Sequence, residues 1–244
     1  MDAIILAGGF AKRMWPLTKN KPKQLLDLAG KPMLDYVFDS LDNLDFERII
    51  VSVNSFFAPQ FQEYLSSNSK DKKIELFIEE STNDNEKLGA LGALNLLFKK
   101  KNLTGPVFIA GGDNLSDFDL IKMVDLYGKS NSDVIGLFDV QNIELAKLYG
   151  IANLEGNRII DFVEKPSSPP STLAATAYWL LSESGINNFF TYIEGGGDRD
   201  AMGNFLTWNV KRNPVLSVSF KGSWYDIGDL ESYSEAQNWL EKRP

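Results

Sequence analysis

The residues with the clearest chemical potential open the chain. Leu6-Ala7-Gly8-Gly9-Phe10-Ala11-Lys12-Arg13-Met14 is followed by Pro16-Leu17-Thr18 and by Lys21-Pro22-Lys23. Glycines let a backbone approach a phosphate chain and aim amides at it, while Lys12, Arg13 and Lys23 supply positive charge. A Gly-Gly pair beside cations is more often an ordinary turn with solvated basic residues; the glycines, arginine and two lysines together favour a triphosphate cradle. A second segment, Gly111-Gly112-Asp113-Asn114, follows the apolar run at 107–110, and open α/β sheets place their ligands at such strand ends. Asp113 is placed there to bind a metal, and its hard oxygens suit magnesium; the competing role is a turn or a helix cap. Phe162-Val163-Glu164-Lys165-Pro166 sets a lysine able to meet a phosphate at another strand end, where a solvated Glu-Lys pair is the commoner occupant. The fourth segment, Trp224-Tyr225-Asp226-Ile227-Gly228, reads on its own as a core tryptophan followed by a capping aspartate.

The 244 residues contain no histidine and no cysteine. That excludes Ser-His-Asp hydrolysis, imidazole acid–base chemistry, disulfides and zinc-thiolate sites. Lys, Arg, Asp, Glu and a metal ion remain, a set suited to transfer of a phosphoryl-type group. The net charge of -8 works against broad attraction to nucleic acid or to an anionic membrane, so any phosphate site is local. No apolar run approaches the roughly 20 residues needed to span a bilayer, and Met1-Asp2 leads straight into a strand. A cytoplasmic, compact protein with no nucleic-acid or membrane partner is expected.

These segments must be held by a sheet. Short apolar runs at 3–7, 49–53, 74–78, 107–110 and 134–138 predict buried strands. Between them, apolar residues recur every three or four positions at 33–44, 57–65, 90–100 and 119–127, which predicts helices and hence a β-α-β alternation. After Tyr149-Gly150 the pattern changes to shorter β segments around 151–154, 159–163 and 174–181, read as an insertion that caps the sheet and holds a substrate. Helices near 199–211 and 230–240 flank a strand around 215–220. The expected fold is α/β, with a Rossmann-like mixed and mainly parallel sheet flanked by helices. The length fits one domain, 1–244. There is no hexapeptide repeat and no internal duplication, so no appended acyltransferase-type domain is expected.

The opening segment resembles the signature of the sugar-1-phosphate nucleotidyltransferases, G-x-G-T-R-hydrophobic followed by P-L-T and P-K, with Ala11-Lys12 standing where the family commonly has Gly-Thr. Gly112-Asp113-Asn114 resembles the family's G-D-N, the pair Tyr149-Gly150 and Glu164-Lys165-Pro166 follows in the family's order, and Trp224-Tyr225-Asp226-Ile227-Gly228 resembles its W-x-D-x-G. Leu88-Gly89-Ala90-Leu91-Gly92-Ala93-Leu94 resembles L-G-T-A-G-A-L, with Ala90 and Leu91 as departures. The matches run in the expected order over nearly the whole chain. The resemblance implies the nucleotide-diphospho-sugar transferase fold with an inserted β-rich sugar-binding part: 1–140 mainly for the nucleotide, 141–228 mainly for the sugar phosphate, and 229–244 as a C-terminal helix.

The resemblance also implies roles. Arg13, Lys23, Asp113, Lys165 and Asp226 would be catalytic, with Asp113 and Asp226 as magnesium ligands. Leu6, Ala7, Gly8, Gly9, Lys12, Arg13 and Lys23 would contact the nucleotide, and Glu80 and Gly89 its base. Asn114, Gly150, Glu164, Lys165 and Trp224 would hold the sugar phosphate. The implied reaction is attack by a sugar-phosphate oxygen on the α-phosphate of a nucleoside triphosphate, with glucose 1-phosphate and dTTP or UTP placed first and mannose 1-phosphate with GTP second. Another phosphoalcohol or a noncatalytic nucleotide-sugar sensor are alternatives; a glycosyltransferase would call for an Asp-x-Asp motif, which Gly112-Asp113-Asn114 is not. Members of the family commonly self-associate, so a homo-oligomer belongs to the expectation.

Overall fold

The computed structural model describes residues 1–68 and 74–243. In chain order the first half comprises β1 (Asp2–Leu6), β2 (Asp27–Leu28), β3 (Lys31–Pro32), α1 (Met33–Leu41), β4 (Ile49–Asn54), α2 (Ala58–Asn68), β5 (Ile74–Glu79), α3 (Ala90–Lys101), β6 (Val107–Gly111), β7 (Asn114–Ser116) and α4 (Ile121–Ser130). The second half comprises β8 (Asp133–Asp139), α5 (Ile143–Ala146), β9 (Gly150–Glu155), β10 (Arg158–Glu164), β11 (Leu173–Leu181), α6 (Glu183–Glu194), α7 (Met202–Asn209), β12 (Val215–Phe220), β13 (Trp224–Asp226) and α8 (Leu230–Glu241). They divide between two compact units, one built from residues 2–87, 110–118 and 222–244 and the other from 88–109 and 119–221. Strands and helices alternate as the sequence predicts, and the class is mixed α/β. Among the described residues no helix is long and apolar enough to cross a membrane.

In the first unit β4 pairs in parallel with both β1 and β5. All six residues of β4 are buried, as expected of a parallel strand covered on both faces. Two of them, Ser52 and Asn54, are polar, and their hydrogen bonds matter below. β7 and β13 form a separate antiparallel pair with Asp226 opposite Asn114. An apolar cluster of Met14, Leu28, Met33, Leu115, Ile227 and Ala236 lies beneath that pair, joined by Tyr233 and Trp239 of α8. Asp229 caps α8 through Ser232 in a reciprocal capping box. Asp117 ties the ends together: its carboxylate accepts from the Ser223 amide at 2.8 Å and from Arg243 at 3.1 Å, and the Arg243 guanidinium stacks on Trp239.

In the second unit β11 is antiparallel to β6 and β8, β12 is parallel to β8, and β10 pairs antiparallel with β12 and β9. Phe98, Phe189, Phe190, Tyr192, Phe205 and Trp208 of α3, α6 and α7 pack largely edge to face. Buried Asp133, at the start of β8, accepts from the Ser182 amide and hydroxyl at 2.8 and 2.7 Å and from Asn209 and Asn213 at 2.8 and 3.2 Å. Helix α6 is absent from the sequence reading, although Ser182 caps it by accepting from the Gly185 amide. Helix α7 begins at Met202, later than the expected 199. Residues Arg199 and Asp200 are instead occupied as backbone acceptors for the first amides of α3, at 3.0–3.1 Å.

Candidate active site

The glycine loop grows out of β1. The Ala7 amide donates to the Ser52 carbonyl at 2.8 Å, and the Asn54 side chain donates to the Gly8 carbonyl at 2.9 Å. A Cβ on Gly8 would stand 2.7 Å from the carboxyl of Glu79, whereas nothing lies within 4 Å of the same position on Gly9. Gly8 is therefore a close-packing glycine and Gly9 an open one. Ala11 adopts a left-handed φ of 47°, a strained conformation for a residue with a Cβ, and the Thr18 hydroxyl holds its carbonyl at 2.8 Å. The turn that follows, Lys12–Met14, buries Met14 and leaves both cations exposed.

Those two cations go separate ways. Lys12 pairs with Asp84 at 3.0 Å on the surface. Arg13 lies over Gly228, its Nη2 3.0 Å from where a Cβ would be, and its charge favours the ionised carboxylates of Asp226 and Asp229, pulling their pKa values down. The loop cation thus meets the W-x-D-x-G segment, which lies more than 200 residues away in sequence.

Asp113 and Asp226 meet as well. Asn114 donates from Nδ2 to Asp113 Oδ1 at 3.1 Å and to Asp226 Oδ1 at 3.2 Å. Lys23, buried in a short turn at 23–25, donates from Nζ to Asp113 Oδ2 and to the Ile227 carbonyl, both at 2.6 Å. Burial favours the neutral form of both aspartates and so pushes their pKa values up. At Asp113 the adjacent ammonium outweighs that effect and the carboxyl stays below the usual range. Asp226 is pushed up to about 6, by burial first and then by the like charge of Asp113, against the pull of Lys23, Arg13 and Asn114. Two hard carboxylates crowded enough to repel one another form a donor set that a divalent cation relieves. Among the described residues no group of three metal-ligating side chains comes together. A metal here would draw the rest of its shell from phosphate and water, as magnesium ordinarily does.

Of the residues expected to hold the sugar phosphate, Gly150, Glu164 and Lys165 lie in the second unit, whereas Asn114 and Trp224 lie in the first. Glu164 pairs across β10–β9 with Gly150. Its Oε2 lies 2.7 Å from a Cβ position on Gly150 and occupies the Cβ position of Gly203, at the start of α7. Burial pushes the Glu164 carboxyl up despite the Lys165 ammonium, which is 4.0 Å away and largely exposed. Lys165 itself has φ 45°, and its amide donates to the Tyr149 carbonyl at 3.1 Å. A non-glycine residue in this region is strained, and such strain gathers at functional sites.

Gly89 stands at the start of α3 with φ 72°, and a Cβ there would collide with the backbone of Arg199 and Asp200. The amides of Ala90, Leu91 and Gly92 are already bonded to the carbonyls of those two residues. Glu80 is exposed just past β5 and falls in the other unit. Asn114 and Trp224 bond to each other at 2.7 Å beside the two aspartates. Ser52, Asn54 and Glu79, which shape the glycine loop from below, have no counterpart in the sequence reading. Their signal was the polar residues punctuating Ile-Ile-Val-Ser-Val-Asn and ending Ile-Glu-Leu-Phe-Ile-Glu.

Residues 2–243 match the family model for nucleotidyl transferase. A relative from Sulfolobus acidocaldarius, assigned as a mannose-1-phosphate guanyltransferase, is 30% identical over 96% of this chain and 61% of its own length. The UTP–glucose-1-phosphate uridylyltransferase of Synechocystis is 28% identical over 97% of this chain and 62% of its own length. The chain therefore spans about three fifths of these relatives. A solved structure from Bacillus anthracis, assigned as a glucose-1-phosphate thymidylyltransferase, superposes with a TM-score of 0.86 over 100% of this chain and 96% of that one; at 23% identity this likeness shows the fold.

Proposed function

Since the chain belongs to the nucleotidyl transferase family, we propose that it joins a nucleoside triphosphate to a sugar 1-phosphate and releases pyrophosphate. The observation that carries this reading is the cluster in which Lys23, Asp113, Asn114 and Asp226 lie within hydrogen-bonding distance, in the unit that also holds the glycine loop and Arg13. A phosphate monoester has its second pKa near 6, so its oxygen is already anionic near neutral pH and attacks without a protein base. The new bond joins that oxygen to the α-phosphorus. The bridging α–β bond breaks, and pyrophosphate leaves with the electron pair.

What the chain supplies is position and charge. The glycine loop presents amides to the triphosphate, and Arg13 offsets its charge. Lys23 fixes Asp113 and the Ile227 carbonyl in one geometry. Lys165 takes the charge of the sugar phosphate, and the half-buried carboxyl of Glu164 meets sugar hydroxyls. Magnesium held by Asp113 and Asp226 would neutralise and orient the triphosphate.

The acceptor we propose is a hexose 1-phosphate. Mannose 1-phosphate with GTP is placed first, supported by the Sulfolobus relative. Glucose 1-phosphate with UTP or dTTP, favoured by the motif pattern, is supported by the Synechocystis relative. The test is pyrophosphate release with magnesium across dTTP, UTP, GTP, CTP and ATP against glucose, mannose, galactose and N-acetylglucosamine 1-phosphates. One dominant combination names the reaction. A grid without turnover, from folded protein that still binds a nucleotide, rejects the hexose-phosphate reading.

A further inference from the structure

Asn114 is 2% exposed, and its amide faces one way for a reason. The indole Nε1 of Trp224 lies 2.7 Å from Asn114 Oδ1. An indole N–H donates and never accepts, so the oxygen end of the amide must face the tryptophan. The nitrogen end then reaches both carboxylates, at 3.1 Å on Asp113 and 3.2 Å on Asp226. Turned over, the amide would oppose a donor with donors and two carboxylates with an oxygen.

The strand register makes this arrangement. Asp226 stands directly opposite Asn114, and Trp224 stands opposite Ser116. Residues two apart on a strand share a face, so Trp224 and Asp226 reach the same side and Trp224 meets Asn114 on the diagonal. Trp224 is only partly buried, so its indole is not required merely to fill the core.

Resting on the reading of Asp113 and Asp226 as the metal-holding pair, we propose that Trp224 is a positioning residue whose indole N–H locks the Asn114 amide, tethers the two carboxylates, and thereby sets the affinity of the pair for a hard divalent cation. Trp224 acts through Asn114 and touches no substrate in this role. Groups that orient metal ligands from behind typically change metal affinity about 10–100-fold when removed.

The test uses the full chain and Mn²⁺ as a magnetic probe, with free Mn²⁺ followed by electron paramagnetic resonance in the absence of nucleotide. Trp224→Phe keeps the ring and removes the donor; its Mn²⁺ dissociation constant is expected to rise about tenfold with an unchanged melting temperature. Asn114→Ala should weaken binding as well, and adding Trp224→Phe to it should change nothing further, because both act on one link. In turnover assays the concentration of magnesium needed for half activation should rise for Trp224→Phe. Wild-type Mn²⁺ affinity in Trp224→Phe, or in Asn114→Ala if the former does not fold, overturns the proposal. Asp226→Ala separates the layers: wild-type Mn²⁺ affinity there overturns the metal-pair reading itself, whereas loss there with no loss in Trp224→Phe overturns the positioning role alone.

Discussion

The guanidinium of Arg13 rests on the Cα of Gly228, with Nη2 3.0 Å from the place a Cβ would take. A methyl group at 228 must therefore move the arginine. We expect Gly228→Ala to lower kcat/KM by about 10²-fold, the scale of a misplacement near 1 Å in a site that works by position, with little change in melting temperature. Steady-state kinetics with pyrophosphate as the readout decides this, and wild-type kcat/KM in the variant would show that the contact is idle.

Lys12 neighbours Arg13 but is committed to Asp84 on the surface. Exposed ion pairs of this kind are worth about 0–1 kcal/mol. Lys12→Ala should stay close to wild type in kcat, whereas Arg13→Ala should lose ~10²–10³ in rate, as for removal of one preorganised electrostatic contact. Equal losses in the two variants would mean that Lys12 leaves Asp84 for the triphosphate.

In the second unit, Gly203 owes its lack of a side chain to Glu164, whose Oε2 fills the Cβ position. Gly203→Ala must push that carboxyl aside. The KM for the sugar phosphate should rise about tenfold, with the nucleotide dissociation constant unchanged. A rise in the nucleotide constant alone would detach Glu164 from the sugar.

Asp133 gathers four donors from Ser182, Asn209 and Asn213. Asp133→Ala leaves buried donors without an acceptor and should destabilise by about 3 kcal/mol in urea unfolding. The pH dependence has a definite sign. Burial raises the carboxyl above its unfolded value even though the four donors pull it down. Its contribution to stability is therefore full below the ordinary aspartate pKa of about 3.9 and declines as pH rises through the raised folded value. The difference in unfolding free energy between wild type and Asp133→Asn, which does not titrate, should fall across that interval. A difference that grows with pH would show that the donors win.

Much of this was legible in the sequence because apolar runs ending in glycine or aspartate mark strand ends, and Gly8, Asp113 and Asp226 all sit at such punctuation. Their meeting was not legible from residue patterns alone. Asp113 and Asp226 converge through the pairing of β7 with β13, and short strands pair over long separations without leaving a local trace. The polar support under the loop was hidden for a different reason. Ser52 and Asn54 lie inside a run that reads as apolar, and Glu79, the last residue of β5, is buried while Glu80, just past the strand, is exposed, a boundary of one residue that the residue types do not mark. Helix α6 went unread because Phe189, Phe190, Tyr192 and Ile193 follow a strand of similar composition with only Ser182 between as a boundary.

The unit that holds the two aspartates is sewn from residues 2–87, 110–118 and 222–244, and its apolar cluster includes Ile227 and Ala236 beside Met14 and Leu28. During synthesis the glycine loop and Asp113 leave the ribosome long before β13 and α8 exist to face them. The other unit, complete by residue 221, has its whole chain in hand earlier. The carboxylate pair therefore forms late in synthesis: a nascent chain that ends before residue 222 lacks β13 and with it Asp226, so it holds one carboxylate of the pair without the other.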